Sequence, residues 1–135
     1  VSMMKRRKLS DPVMASNFLF LLNGLFWYMA GHVLASVLVT ITGLASFAYH
    51  VFRESWFVTY AADVCLAHVS LVYTLYVAYP YMDLEHVIVL SIVLWTGLFV
   101  KKKALLSGKY DLYHTLWHVC VFLGQALLAC ISQER

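Results

Sequence analysis

Charge is what this chain has least of. Only 13% of its 135 residues are charged, against about a quarter in a soluble globular domain. With 62% of its residues hydrophobic, the chain reads as an integral membrane protein of a single domain. Cysteine is scarce as well. Cys65, Cys120 and Cys130 all fall in apolar segments, so no disulfide framework is implied and each is expected to be a small buried hydrophobe. No stretch alternates with period two, which removes a membrane β-barrel, and no repeat or low-complexity tract is present. The basic residues exceed the acidic ones only by 10 to 7 and cluster at the ends of apolar segments. That pattern excludes nucleic acid as a partner. Val1 stands where a Met would, which points to a fragment or processed form with Met3 or Met4 as the native start.

What is present is a succession of apolar segments. Residues 1–12 are polar and basic, and an apolar run then extends from Val13 to Phe52. That run is twice the roughly 20 residues needed for one crossing, so it folds back once. Gly31, with the interfacial aromatics Trp27 and Tyr28, marks the turn. A signal peptide is the other reading of this start, but Met29-Ala30-Gly31-His32 makes a poor cleavage site. The expected architecture is an all-α, polytopic membrane bundle of about five transmembrane helices, near residues 13–28, 31–52, 57–79, 86–100 and 112–131. Residues 132–135 form a tail.

Five crossings sort the charges sharply. Lys5, Arg6, Arg7, Lys8, Arg53, Lys101, Lys102, Lys103 and Lys109 fall on one side and only Arg135 on the other. The positive-inside rule then puts the N-terminus in the cytoplasm and the C-terminus outside or in a lumen.

This topology gives each polar residue a depth. His50 lies near the cytoplasmic end of the second helix, with Ser46 one turn deeper on the same face. Asp63 lies one to two turns into the third helix. His114 and His118 lie one turn apart on one face at the start of the fifth. Five polar side chains from three helices thus share one depth. Asp63 is the only acidic residue inside an apolar segment, and a buried carboxylate needs a partner. Three histidines with an open position form the ligand set of a catalytic zinc, which activates water near neutral pH and polarises a carbonyl. Position 115 is Thr, so the His pair lacks the adjacent Glu of zinc proteases. Asp63 is the candidate general base, and Ser46 the candidate hydrogen-bond donor to a water or an oxyanion.

The remaining polar residues read more plainly. His32 and His86 are expected at the surface. His68 is five residues after Asp63, about 140° round the helix, and is expected to pack or hydrogen-bond. Ser36, Thr40, Thr42 and Ser91 are expected to make interhelical contacts. Asn17 and Asn23 need partners. The aromatic residues are expected mostly to face lipid or lie in interfacial belts.

Ser46-x-x-x-His50, then Asp63, then His114-x-x-x-His118 resembles the pattern of the CREST superfamily. That group contains the alkaline ceramidases, the progestin and adipoQ receptors, GPI-remodelling proteins and the myomaker family. Ser16-Asn17-Phe18-Leu19-Phe20, and Tyr110 to Trp117-His118, look most like the myomaker branch. The resemblance implies zinc held by His50, His114 and His118, a water held by Asp63 and an assisting Ser46. It also implies hydrolysis of a lipid amide or ester of ceramide, GPI or phospholipid type. The family has seven helices, so this chain resembles a shortened form, and a homo-oligomer is an expected partner alongside the lipid substrate and the bilayer. The alternative is a non-enzymatic receptor- or myomaker-like protein in which zinc only joins the helices.

Overall fold

The computed structural model describes residues 7–52 and 57–133. Among them the chain is all helical, with α1 at Pro12–Ser16, α2 at Phe18–Met29, α3 at Val33–Val51, α4 at Phe57–Ala78, α5 at Leu84–Leu106 and α6 at Tyr110–Ile131. A 3₁₀ turn, Tyr79–Tyr81, follows α4. Helices α3, α5 and α6, and the Phe57–Tyr81 stretch, are long and apolar enough to cross a membrane. Large apolar side chains lie exposed on their outer surfaces, among them Ile88, Ile92, Trp95 and Phe99 on α5. Such a surface suits lipid, not water.

The first expected helix, 13–28, is broken in two. Pro12 starts α1 at the position where its missing N–H costs nothing, and Asn17 ends it. The Asn17 side-chain amide donates to the Val13 carbonyl at 2.8 Å, the local competition with helix bonding that Asn favours. The turn at Gly31 is where the sequence places it. Gly31 has φ +90°, the His32 N–H donates to Trp27 O and the Gly31 N–H to Tyr28 O. Those two bonds form a Schellman cap, and its left-handed position favours Gly.

The expected 86–100 helix is longer at both ends. Asp83 caps its start by accepting from the His86 N–H at 3.0 Å. At the other end Lys101, Lys102 and Lys103 continue the helix instead of breaking it, because Lys is a good helix former whose stem extends toward polar surroundings. Helix α6 begins at Tyr110, two residues earlier than expected, and α4 gives way to the 3₁₀ turn after Ala78.

Helix α6 is the common support, packing against α1, α2, α4 and α5, while α3 lies between α2 and α4. Trp27, far from marking a surface, is fully buried. Its indole N–H donates to Gln125 at 2.9 Å, and Gln125 in turn donates to Thr74 at 3.1 Å. Helices α3 and α4 are joined by Thr42 and Ser70, 2.6 Å apart, and α2 and α3 by Ser36, which donates to the Gly24 carbonyl. His32 is also drawn inward, with Nε2 2.7 Å from the Ser132 carbonyl. Ser91 bonds only within its own helix, to Val87 O, and Cys65 and Cys130 are exposed rather than buried. Lys5, Arg6, Arg53 and Arg135, four of the charges used for topology, lie outside the described residues.

Two ends of the bundle are defined by these contacts. One gathers Arg7, the end of α3 and the start of α6, where Arg7 pairs with Asp111 at 2.8 Å and its N–H donates to Val51 O. The other gathers the α2–α3 turn, the α4–α5 link and the end of α6.

Candidate metal centre

The last turn of α3 carries His50, and the first two turns of α6 carry His114 and His118. Antiparallel packing around α6 brings these stretches to the same end. Each histidine offers a ring nitrogen, and the three nitrogens lie within 4.8 Å of one another. Nε2 of His50 and Nε2 of His114 are 3.0 Å apart. Ligands at about 2.0–2.1 Å from a tetrahedral zinc stand about 3.3 Å from each other, so this pair is already near a shared-ion spacing. His50 and His118 are buried, at 0% and 2% exposure, and His114 is half-buried.

His118 is held by a residue whose role the sequence did not reveal. Its Nδ1 lies 2.6 Å from the Ser16 hydroxyl, which itself donates to the Val13 carbonyl at 2.9 Å. A hydroxyl has one proton. With that proton directed to Val13, Oγ of Ser16 accepts from the His118 Nδ1–H. The tautomer is therefore fixed, and the Nε2 lone pair of His118 is left for another ligand. Two aromatic rings complete the frame. Tyr110 stacks on His114 with centroids 4.7 Å apart, and Phe20 meets His118 edge-on at 5.5 Å. Phe20 reaches that position because α3 presents Gly43 to it, where a Cβ would collide with Phe20.

Asp63, half-buried on α4, stands outside the group of ligand nitrogens but within electrostatic reach of His50 and of Lys101 on α5. Ser46 is buried one turn before His50, and no hydrogen bond joins it to the three histidines. His68 lies exposed on α4, turned back on its own helix with Nδ1 2.7 Å from Val64 O. His86 belongs to the cap of α5, at the opposite end of the bundle.

Of the five residues singled out by sequence, the structure thus joins His50, His114 and His118 directly, leaves Asp63 outside that group but within electrostatic reach of His50, and keeps Ser46 in the adjoining turn. It adds Ser16. The only signal for Ser16 was its position next to Asn17, a polar pair in an apolar run, and nothing there named His118 as its partner.

No known protein family, curated protein or solved structure matches this chain.

Proposed function

We propose that the chain is a zinc-dependent membrane hydrolase acting on a lipid amide or ester. The observation that carries this reading is the set of three histidine nitrogens gathered within 4.8 Å; the Asp63 carboxylate, within electrostatic reach of His50, supports it. The donor chemistry fits zinc, because all three ligands are imidazoles and one has its tautomer fixed by a second residue. Zinc, when bound, supplies Lewis acidity toward a carbonyl and a lowered pKa for water. His50, His114 and His118 hold the ion, and Ser16 orients His118. A carboxylate oxygen of Asp63 takes the proton of the attacking water and returns it to the leaving amine or alcohol. The hydroxyl goes to the carbonyl carbon as its bond to nitrogen or oxygen breaks. Ser46 supplies a hydroxyl for the developing oxyanion.

The same reading carries the family proposal, a shortened CREST-type bundle, and the orientation in which the histidine end is cytoplasmic. The basic residues at that end, Arg7, Lys8, Lys101, Lys102, Lys103 and Lys109, support it.

A second reading is favoured by the burial of His50 and His118. A closed, fully coordinated ion would join α3 to α6 without chemistry, as in a receptor- or myomaker-like protein with structural zinc. Metal analysis of purified protein, followed by a lipid-hydrolysis screen on the wild type and Asp63→Ala, separates the two. The hydrolase predicts stoichiometric zinc in both proteins and product only from the wild type. Zinc without product across ceramides, phospholipids and GPI lipids assigns the structural role. Full zinc in a His114→Ala/His118→Ala protein refutes both.

A further inference from the structure

Two of the three histidines stand where a helix is least secure. His50 is the next-to-last residue of α3, and His114 lies one turn into α6. Helix ends open locally more easily than helix interiors. His118 is held by Ser16, and the other two ligands need a support of their own.

Arg7 meets both helix ends. Its backbone N–H donates to Val51 O at 3.1 Å, and Val51 directly follows His50 and closes α3. Its guanidinium pairs with Asp111 at 2.8 Å, and Asp111 directly follows Tyr110, the first residue of α6. The guanidinium carbon lies over the Tyr110 ring, 5.9 Å from its centroid. That ring is nearly parallel to the His114 imidazole, at 17° and 4.7 Å, and also adjoins the His50 ring at 6.5 Å. Tyr110 therefore stands beside both ligands, and Arg7 stands over Tyr110. The Arg7 side chain is only 8% exposed, whereas its neighbour Lys8 is exposed. The cation is seated in the protein.

A donor at the end of α3 and a carboxylate in the first turn of α6 are each ordinary helix-end contacts. Their meeting in one buried residue, whose cation also lies over the ring stacked on a ligand, is not. A guanidinium can pair with a carboxylate and lie over an aromatic ring at once. We propose that Arg7 is a positioning residue of the metal centre. Through Asp111 and Tyr110 it fixes the start of α6 against the end of α3, and so sets His114 at its spacing from His50. With Ser16 on His118, the short stretch 7–16 positions all three ligands while supplying none of them. This rests on the metal reading of the site and not on hydrolysis.

The test measures zinc affinity by chelator competition, and the visible absorption bands of the cobalt(II)-substituted protein, which report ligand geometry. The full chain is used in detergent, and melting temperature is recorded for every variant. Arg7→Gln and Tyr110→Leu are each expected to weaken zinc binding about tenfold and to shift the cobalt bands. Tyr110→Phe keeps the ring and is expected to keep both properties. Gln125→Leu, on α6 away from the histidines, is expected to lower the melting temperature and leave both properties as in the wild type. In Arg7→Gln/Tyr110→Leu the loss of affinity is expected to be smaller than the sum of the two single losses, because Arg7 acts through Tyr110. Wild-type affinity and bands in Arg7→Gln overturn the proposal. So does a loss in Gln125→Leu equal to that in Arg7→Gln, which would mean general loosening of the bundle. Additive losses in the double variant overturn the route through Tyr110. If Arg7→Gln does not fold, Asp111→Asn removes only the ion pair and must show the same smaller-than-additive loss with Tyr110→Leu. A wild type that binds neither zinc nor cobalt overturns the metal centre itself, and the role of Arg7 with it.

Discussion

The hydroxyl of Ser16 accepts from Nδ1 of His118 across 2.6 Å and 102 residues of sequence. This bond converts a helix start at one end of the chain into a support for a ligand at the other. Replacing Ser16 by Ala removes the acceptor and frees the ring to rotate or change tautomer. Zinc affinity is expected to fall about 10- to 100-fold, read by competition with a chelator of known affinity. Unchanged affinity would mean that packing against Phe20 alone fixes the ring.

Removing the metal should loosen the bundle. A ligand that binds only the folded state, present at about 100 times its dissociation constant, stabilises by about 2.7 kcal/mol. Chelation is expected to lower the melting temperature of the wild type and to leave a His114→Ala/His118→Ala protein where it was. Equal shifts in both would place the metal elsewhere.

Gly43 gives Phe20 its place, and through it the cover of His118. In Gly43→Ala the new methyl meets the Cβ of Phe20, an atom close to the α2 backbone, so the helices must separate. The expected cost is about 1–3 kcal/mol, together with weaker zinc binding, measured by thermal unfolding and chelator competition. A pairing of Gly43→Ala with Phe20→Gly, which removes that Cβ, should recover part of the spacing between the helices, whereas Phe20→Ala, which keeps it, should not.

Gln125 serves α2 and α4 at once, accepting from Trp27 and donating to Thr74. Gln125→Leu leaves the indole N–H buried without an acceptor, at an expected cost of about 1–3 kcal/mol. Trp27→Phe in the same protein removes the stranded donor. A double variant no more stable than Gln125→Leu would contradict this account.

Orientation can be read from Cys130, which is exposed near the end of α6. In a protein keeping only that cysteine, a membrane-impermeant maleimide is expected to label intact cells if the C-terminal end is outside, or only cells whose internal membranes are also opened if it is lumenal. Labelling on selective permeabilisation of the plasma membrane alone would reverse the proposed topology.

Much of this was legible from residue types. A scarcity of charge and long apolar runs announce helices in a membrane, and the cost of an ionisable residue there singles out His50, Asp63, His114 and His118. The turn at Gly31 was legible because few residues other than Gly adopt its backbone readily. Other features depend on packing that no local pattern records. Trp27 looks interfacial by type, and only the arrival of Gln125 from α6 makes it a core residue. The break at Asn17 arises from an amide finding a carbonyl one turn back, a choice a continuous apolar run conceals. The end of α5 was placed too early because three lysines in a row read as a link, whereas their stems and helix propensity let the helix continue.

Helix α6 is synthesised after α1 to α5, and four long-range fasteners of the bundle end on it or at its cap. Arg7 reaches Asp111, Trp27 reaches Gln125, His32 reaches Ser132 and Ser16 reaches His118, over spans of 98 to 104 residues. None of these bonds can form while the ribosome is still extending the first five helices. Until α6 enters the membrane, buried polar groups on α1 and α2 have no counterpart, and His50 has no second histidine with which to share an ion. A chain cut short before Tyr110 would expose those polar groups to lipid, giving membrane quality control a direct signal that insertion is incomplete.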